Sequence, residues 1–392
     1  MPLGLYLSVP FCKAKCSFCN FASGVGNDAA VERYVTQLVE EIDAARRDAD
    51  RIGASLPHLV DTVYFGGGTP SLLQPEQLRA IFAALRRNFE LLPHAEITLE
   101  AAPGQIDDAL LGAALEEGIN RISLGVQSFV DAEAQAVGRS HTGDECLQEF
   151  HRLHRAGVAN VGADLIAGLP LQTMESWMQT LRMVGEAELE HLSVYLFEID
   201  EDSRLGAEVL RGGERFHATR VASEDLASAM YERACKELPL LGFSQYEISN
   251  FAREGFRSAH NRKYWTRAPY FGFGLDAHSM LLRAEGDGAL RFANAEELAS
   301  YGMKTRTLPQ TVEQDEAFEE AVFLGLRMLE GIEIAALEER FGAVRVKALR
   351  QNVRELVGTE LMWEDAGRWG LTLRGRLVSN DVFGRILEPV AA

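Results

Sequence analysis

Six short runs rich in aliphatic and β-branched residues, at 5–9, 62–65, 97–101, 121–126, 162–167 and 192–197, alternate with helical patterns at 31–47, 75–89, 108–117, 144–156 and 174–187. No other feature restricts the fold as strongly. Strand–helix repeats of this kind imply a parallel sheet with right-handed crossovers. Six of them make a partial barrel instead of the closed eightfold one. The predicted class is therefore α/β. In such sheets ligands settle at the carboxyl ends of the strands. The unusual residues of this chain fall there: Cys12, Cys16 and Cys19 after the first run, Gly66-Gly67-Gly68-Thr69-Pro70 after the second, Glu100 near the end of the third and Gln127 after the fourth.

The spacing of Cys12, Cys16 and Cys19, four residues and then three along the chain, wraps three thiolates around one small object. A zinc ion or a four-iron cube needs four ligands, so such a site is completed from elsewhere or left open for chemistry. A zinc site finished by a distant His is compatible with the spacing alone, although paired C-x-x-C knuckles would favour it more. The three glycines after the second strand let a backbone pass close to a ligand, with no side chain in the way. Cys146 and Cys235 sit far apart in helical stretches and read as small buried apolar residues.

With 392 residues, 47% of them hydrophobic and 25% charged, the chain is long enough for two or three ordinary globular domains. No apolar run approaches the roughly 18 to 20 residues of a membrane helix, and no basic segment followed by an apolar core marks a signal peptide. The expectation is a cytoplasmic protein without membrane insertion, for which peripheral association stays open. A reducing cytosol suits free thiolates. The formal net charge of −19 argues against nucleic acid as a partner.

After about residue 200 the rhythm breaks. A helical stretch at 223–237 leads into a segment, 256–280, dense in aromatic, His and Gly residues. Helical patterns resume at 316–330, 334–341 and 344–357, then a β-like tail at 362–372 and a last helix at 380–387. The implied organisation is a core barrel over 1–235, an elaboration over 236–310 and a mostly helical, winged-helix-like module over 311–392. With no basic surface for DNA, packing against the barrel is the expected role of that module.

Taken in order, the three cysteines, Gly66–Pro70, the run around Glu100, Gln127-Ser128-Phe129, Asp164 to Pro170 and the 242–265 segment resemble the radical S-adenosylmethionine (SAM) superfamily, and within it the oxygen-independent coproporphyrinogen oxidase group. The resemblance implies a partial (β/α)6 radical-SAM barrel. It also implies a [4Fe–4S] cluster held by Cys12, Cys16 and Cys19, with SAM on the fourth iron and a reductant such as a flavodoxin or ferredoxin. By the same resemblance Gly67, Gly68 and Thr69 border the methionine part of SAM. Glu100, Gln127 and Asp164 hydrogen-bond its amino or ribose groups, and Arg139 pairs with its carboxylate. Tyr6 and Phe18 pack near cluster and adenine. A guanidinium fork suits a carboxylate physically.

Three features point to the haem chaperone branch of that group, whose members bind haem and deliver it to respiratory haem proteins. The coproporphyrinogen dehydrogenase pattern has a fourth Cys where this chain has Phe21, and it has an N-terminal arm ahead of the first strand, which here starts by about residue 5. His260-Asn261-Arg262-Lys263-Tyr264-Trp265 matches the H-N-x-x-Y-W signature of the chaperones. His260 is then the candidate axial ligand for haem, with Tyr264 and Trp265 flanking the macrocycle and His278 a poorer second. A turn-closing His-Asn and core Tyr-Trp is the plain alternative. Ser8 stands where the group usually has His, and Ala102 replaces the Asn of an E-x-N-P run. Neither touches the ligand set, so cluster binding is expected to survive, and SAM cleavage is the property at stake. Three readings follow: a haem chaperone, with a homodimer among its possible states; an enzyme converting coproporphyrinogen III to protoporphyrinogen IX; or a radical enzyme on an unrelated substrate.

Overall fold

The computed structural model describes residues 1–285, 288–302 and 306–388. Six parallel strands form where the pattern predicts them: β1 (Leu3–Val9), β2 (Leu59–Gly67), β3 (Glu90–Ala101), β4 (Arg121–Gln127), β5 (Asn160–Ala167) and β6 (His191–Leu196). They stand side by side in chain order. The helices Asp28–Arg51, Pro75–Asn88, Asp108–Glu116, Gly143–Ala156 and Met174–Glu186 make crossovers between them. Their starts are written in the sequence. Asn27 and Asp107 accept from the backbone N–H groups three residues on, and Thr142 with Glu145 forms a reciprocal capping box.

Successive residues of a strand face opposite sides, and here the two sides differ in chemistry. Leu5 and Leu7, Val63 and Phe65, Ile122 and Leu124, Val161 and Leu165 are buried in one continuous apolar core with the helices. The alternate positions are polar. Thr62, Tyr64, Thr98, Glu100, Arg121, Ser123, Asp164 and His191 hydrogen-bond to one another and to residues within the barrel. The parallel register stacks them in layers, with Tyr6 beside Tyr64, Glu100 beside Ser123 and Gly125 beside Asp164.

Residues from the 236–310 stretch continue the same sheet at both edges. β7 (Ser244–Gln245) and β8 (Asn250–Ala252) run antiparallel beyond β6. β9 (Tyr270–Phe273) lies parallel to β1 on its free side, followed outward by β10 (His278–Leu282), β11 (Ala289–Ala293) and β12 (Gln310–Val312). Beyond these the helices Gln314–Leu326, Ile334–Phe341, Ala343–Gly358 and Ser379–Leu387 pack with a small sheet of β13 (Ile332–Glu333), β14 (Met362–Asp365) and β15 (Arg368–Leu371), in the order β13-β15-β14. Helices with a small hairpin are what the sequence suggests for this module. Its core, with Val322, Val346, Val353 and Trp369, also takes in Met280 of β10 and Ala289 of β11. Among the described residues no helix is long and apolar enough to cross a membrane.

Candidate cofactor site

The cysteine loop leaves β1 and is fastened at its base. Gly24 N–H donates to Pro10 O (2.9 Å) and Cys12 N–H to Gly24 O (3.0 Å). Further along, Ser17 N–H donates to Val137 O (3.1 Å). The glycine run at the end of β2 lies against this loop, with Gly68 N–H on Val9 O (2.9 Å) and Thr69 N–H on Phe11 O (2.7 Å). The Thr69 hydroxyl donates to Cys12 Sγ at 3.5 Å.

A cavity of about 360 Å³ opens at the carboxyl ends of the strands. Its walls include Cys12, Cys16, Cys19, Phe18, Gly67, Gly68, Thr69, Glu100, Gln127, Arg139 and Asp164. The structure thus brings eleven of the twelve residues expected around cluster and SAM to one place. Ser123, Gly125, Ile166 and Tyr195 also line it. The signal for them was the alternation within β4, β5 and β6: they share a face with Gln127 and Asp164.

The cavity carries two acids and a cation. Tyr64 O–H donates to Glu100 Oε1 at 2.6 Å. Burial pushes the Glu100 carboxyl up to about 7, opposed by the Tyr64 hydrogen bond and reinforced by Asp164. Burial also raises Asp164, while hydrogen bonds from Ser193 and Ser123 work the other way. The Arg139 guanidinium lies over Gly125, where a Cβ would come within 2.5 Å of Nη2, and its Nε is buried without a partner. Burial raises the Cys16 thiol, and Arg139 offsets this. Gln127 has φ of 69°, in the left-handed region, just after a register shift between Gly125 and Gln127. Strain of this kind persists where the surroundings hold a side chain in a required position.

These donors fit the two groups implied by the resemblance. The unpartnered guanidinium matches a carboxylate, the paired acids match an ammonium and hydroxyls, and the glycine wall leaves room for an extended ligand. A single zinc would gather its thiolates to within about 4 Å of one another. Among the described residues no three His, Cys, Asp or Glu groups converge in a way that could hold a metal ion.

Tyr6 and His260 lie outside this cavity. Tyr6 stacks on Tyr64 (ring centroids 6.1 Å apart) and lines a neighbouring cavity of about 250 Å³ with Ser8, Tyr264 and His278. His260 is buried, 1% exposed, toward the amino ends of the strands. Both ring nitrogens are engaged, Nδ1 with Thr62 Oγ1 and Nε2 with the Tyr264 hydroxyl, each at 2.9 Å. Burial, with Lys263 and Arg121 nearby, pushes its pKa down to about 3. Neither nitrogen is open to haem iron in this conformation. Trp265 packs with Tyr246 and Met328, and Arg327 covers its face at 4.2 Å. His278 is exposed, 3.9 Å from Asp276. Cys146 is fully buried and Cys235 half-buried.

Residues 6–184 match the radical SAM superfamily and residues 312–378 the HemN C-terminal domain. The chain is 31% identical to the haem chaperone HemW of Lactococcus lactis, over 98% of this chain and 97% of that one. It is 30% identical to the haem chaperone HemW of Bacillus subtilis, over 97% and 98%. Among solved structures, coproporphyrinogen III oxidase (HemN) from Escherichia coli superposes with a TM-score of 0.82 at 23% identity, covering 98% of this chain and 90% of that one. A radical SAM domain implies a [4Fe–4S] cluster and SAM, and both find suitable donors in the cavity. Matched along nearly its whole length, this chain belongs to the HemW-like group of the radical SAM superfamily.

Proposed function

We propose that this protein is a haem chaperone, binding haem and passing it to respiratory haem proteins, with a cofactor-loaded barrel that supports or regulates the transfer. The observation that carries the reading is end-to-end similarity to proteins named haem chaperones, joined to Phe21 where the dehydrogenase pattern has its extra Cys.

Cys12, Cys16 and Cys19 hold the cluster, and Arg139 takes the SAM carboxylate. Glu100, Asp164 and Gln127 accept from or donate to its amino and ribose groups, while Gly67, Gly68 and Thr69 keep the methionine end against the backbone. Phe18 closes the apolar side. Together, reduced cluster and SAM supply one-electron cleavage of a carbon–sulfur bond; the protein orients the ligand and keeps water from it. The electron comes from a small reductant of the flavodoxin or ferredoxin kind. Axial ligation of haem by His260 requires its bonds to Thr62 and Tyr264 to open, so it accompanies a movement of the Ala259–Trp265 helix.

The test is an anaerobic haem titration of cluster-reconstituted protein followed by Soret absorbance, wild type beside His260→Ala. Saturation near one equivalent supports the chaperone reading, and a changed spectrum in the variant assigns the ligand. An unchanged affinity and spectrum removes His260. Failure to saturate, with vinyl product from coproporphyrinogen III in the presence of reductant and SAM, would replace the chaperone reading with the dehydrogenase one.

A further inference from the structure

A second, larger cleft of about 630 Å³ lies between the rim of the barrel and the C-terminal module. It is joined to the cofactor cavity, because Phe18, Phe21, Ile166 and Tyr195 line both. Its walls mix polar and apolar side chains, and three of the apolar ones stand open to the cleft: Phe21 is 61% exposed, Val378 43% and Tyr195 41%. The module brings two arginines to the same cleft, Arg327 and Arg376. Each has its Nε buried without a partner. Arg327 stands 3.7 Å from Glu247, so its charge is partly matched. Arg376 lies beside the Cys235 thiol instead of a carboxylate. Glu198, Asp200 and Asp381 also line the cleft and repel an anion elsewhere along it. Asp200 is tied to Asn20 by a hydrogen bond.

Resting on the haem-binding reading above, but not on His260 as the iron ligand, since His260 does not line this cleft, we propose that the cleft is the seat of the tetrapyrrole, with Arg376 as the principal carboxylate clamp and Arg327 as its second contact. A flat apolar macrocycle with two carboxylates at one edge fits a cleft whose apolar wall of Phe21, Tyr195 and Val378 adjoins two arginines. Size agrees, since pockets for ligands of this class run from about 300 to 1,000 Å³. A guanidinium with an unpaired N–H is the natural partner for a propionate. The acidic residues make the seat directional: the carboxylates face the arginines, and the macrocycle lies along Phe21, Tyr195 and Val378 toward the cofactor cavity. The C-terminal module is then part of the binding site as well as a structural cap.

The test compares haem with its dimethyl ester, which keeps the macrocycle and lacks the carboxylates, on the full chain. We expect Arg376→Ala to weaken haem at least tenfold and to leave the ester unchanged, with a smaller effect of the same kind from Arg327→Ala. Val378→Trp, which fills the cleft, should weaken both ligands. Equal weakening of haem and ester by Arg376→Ala would overturn the clamp. Wild-type haem affinity in both Arg376→Ala and Val378→Trp would overturn the cleft while the haem-binding reading stands. Wild-type protein that fails to saturate with either ligand would bring down that reading and the cleft with it.

Discussion

At Gly68 there is room for a hydrogen and nothing more: a Cβ would sit 2.7 Å from Phe11 N, Phe11 O and Val9 O. All three are backbone atoms of the segment that carries the cysteines, so they cannot rotate away. Gly68→Ala should cost about 1–3 kcal/mol, the range for forced overpacking, and displace the cysteine loop. Urea unfolding and the iron–sulfur absorbance after reconstitution would register both effects, and an unchanged spectrum would separate the loop from the glycine wall. Glu100 gives a pH prediction. Its folded-state pKa lies near 7, above the ordinary carboxylate value. The protonated form is therefore favoured on folding, and the resulting stability is fully present at low pH and lost as pH rises from about 4.5 to about 7. Binding of a cationic amine needs the ionised form, so SAM affinity should rise across neutrality, and Glu100→Gln should flatten that rise in calorimetric titration. At this scale the cysteines, the glycines and Arg139 were legible because their chemistry is rare and their spacing specific. The burial of His260 was not, since its partners Thr62 and Tyr264 stand 198 and 4 residues away and only the fold brings all three together.

The helix Ala259–Trp265 owes its place to one side chain of β3. Glu96 accepts from Ala259 N–H and His260 N–H at 2.9 Å each and from the Ser258 hydroxyl at 3.3 Å. Ser258 in turn caps the helix by accepting from Asn261 N–H. Removing the carboxylate with Glu96→Ala leaves several donors stranded and should destabilise the fold by about 3 kcal/mol. SAM binding should be spared, because that site lies at the other end of the strands. A matched loss of SAM affinity would mean that the two ends are coupled. Elements of this length are where sequence reading reached its limit. β1 to β6 announce themselves by regular repetition, and the helices by their caps and periodicity. β9 has four residues, two of them Phe and one Gly. It exists as a strand only because β1 offers a free parallel edge, a contact between residues 4–7 and 270–273 that no local pattern encodes. β7 and β8 are shorter still and depend on β6 in the same way.

Across the whole molecule, the joint between barrel and C-terminal module combines apolar contact with a buried charge cluster. Glu320, on the helix Gln314–Leu326, bonds Arg267 Nε at 2.8 Å and Arg291 Nη2 at 2.7 Å, so one carboxylate ties two points of the barrel sheet and its connections to the module. Arg267 is 5% exposed, and Arg340 lies near enough for the two like charges to oppose each other. Deleting one partner of a buried pair leaves the other charge desolvated, at a loss of about 3–5 kcal/mol. Glu320→Ala should therefore loosen the module before the barrel: calorimetry should show one transition in the wild type and an earlier, separate one in the variant. The cleft of Arg327 and Arg376 spans this same joint, so its geometry depends on it. If Glu320→Ala shifts the melting and also weakens haem while leaving SAM binding intact, the module's docking controls the cargo site alone. If the variant melts as one unit at the wild-type midpoint, the shared apolar core of Met280, Ala289 and Phe318 holds the joint and the charge cluster is secondary.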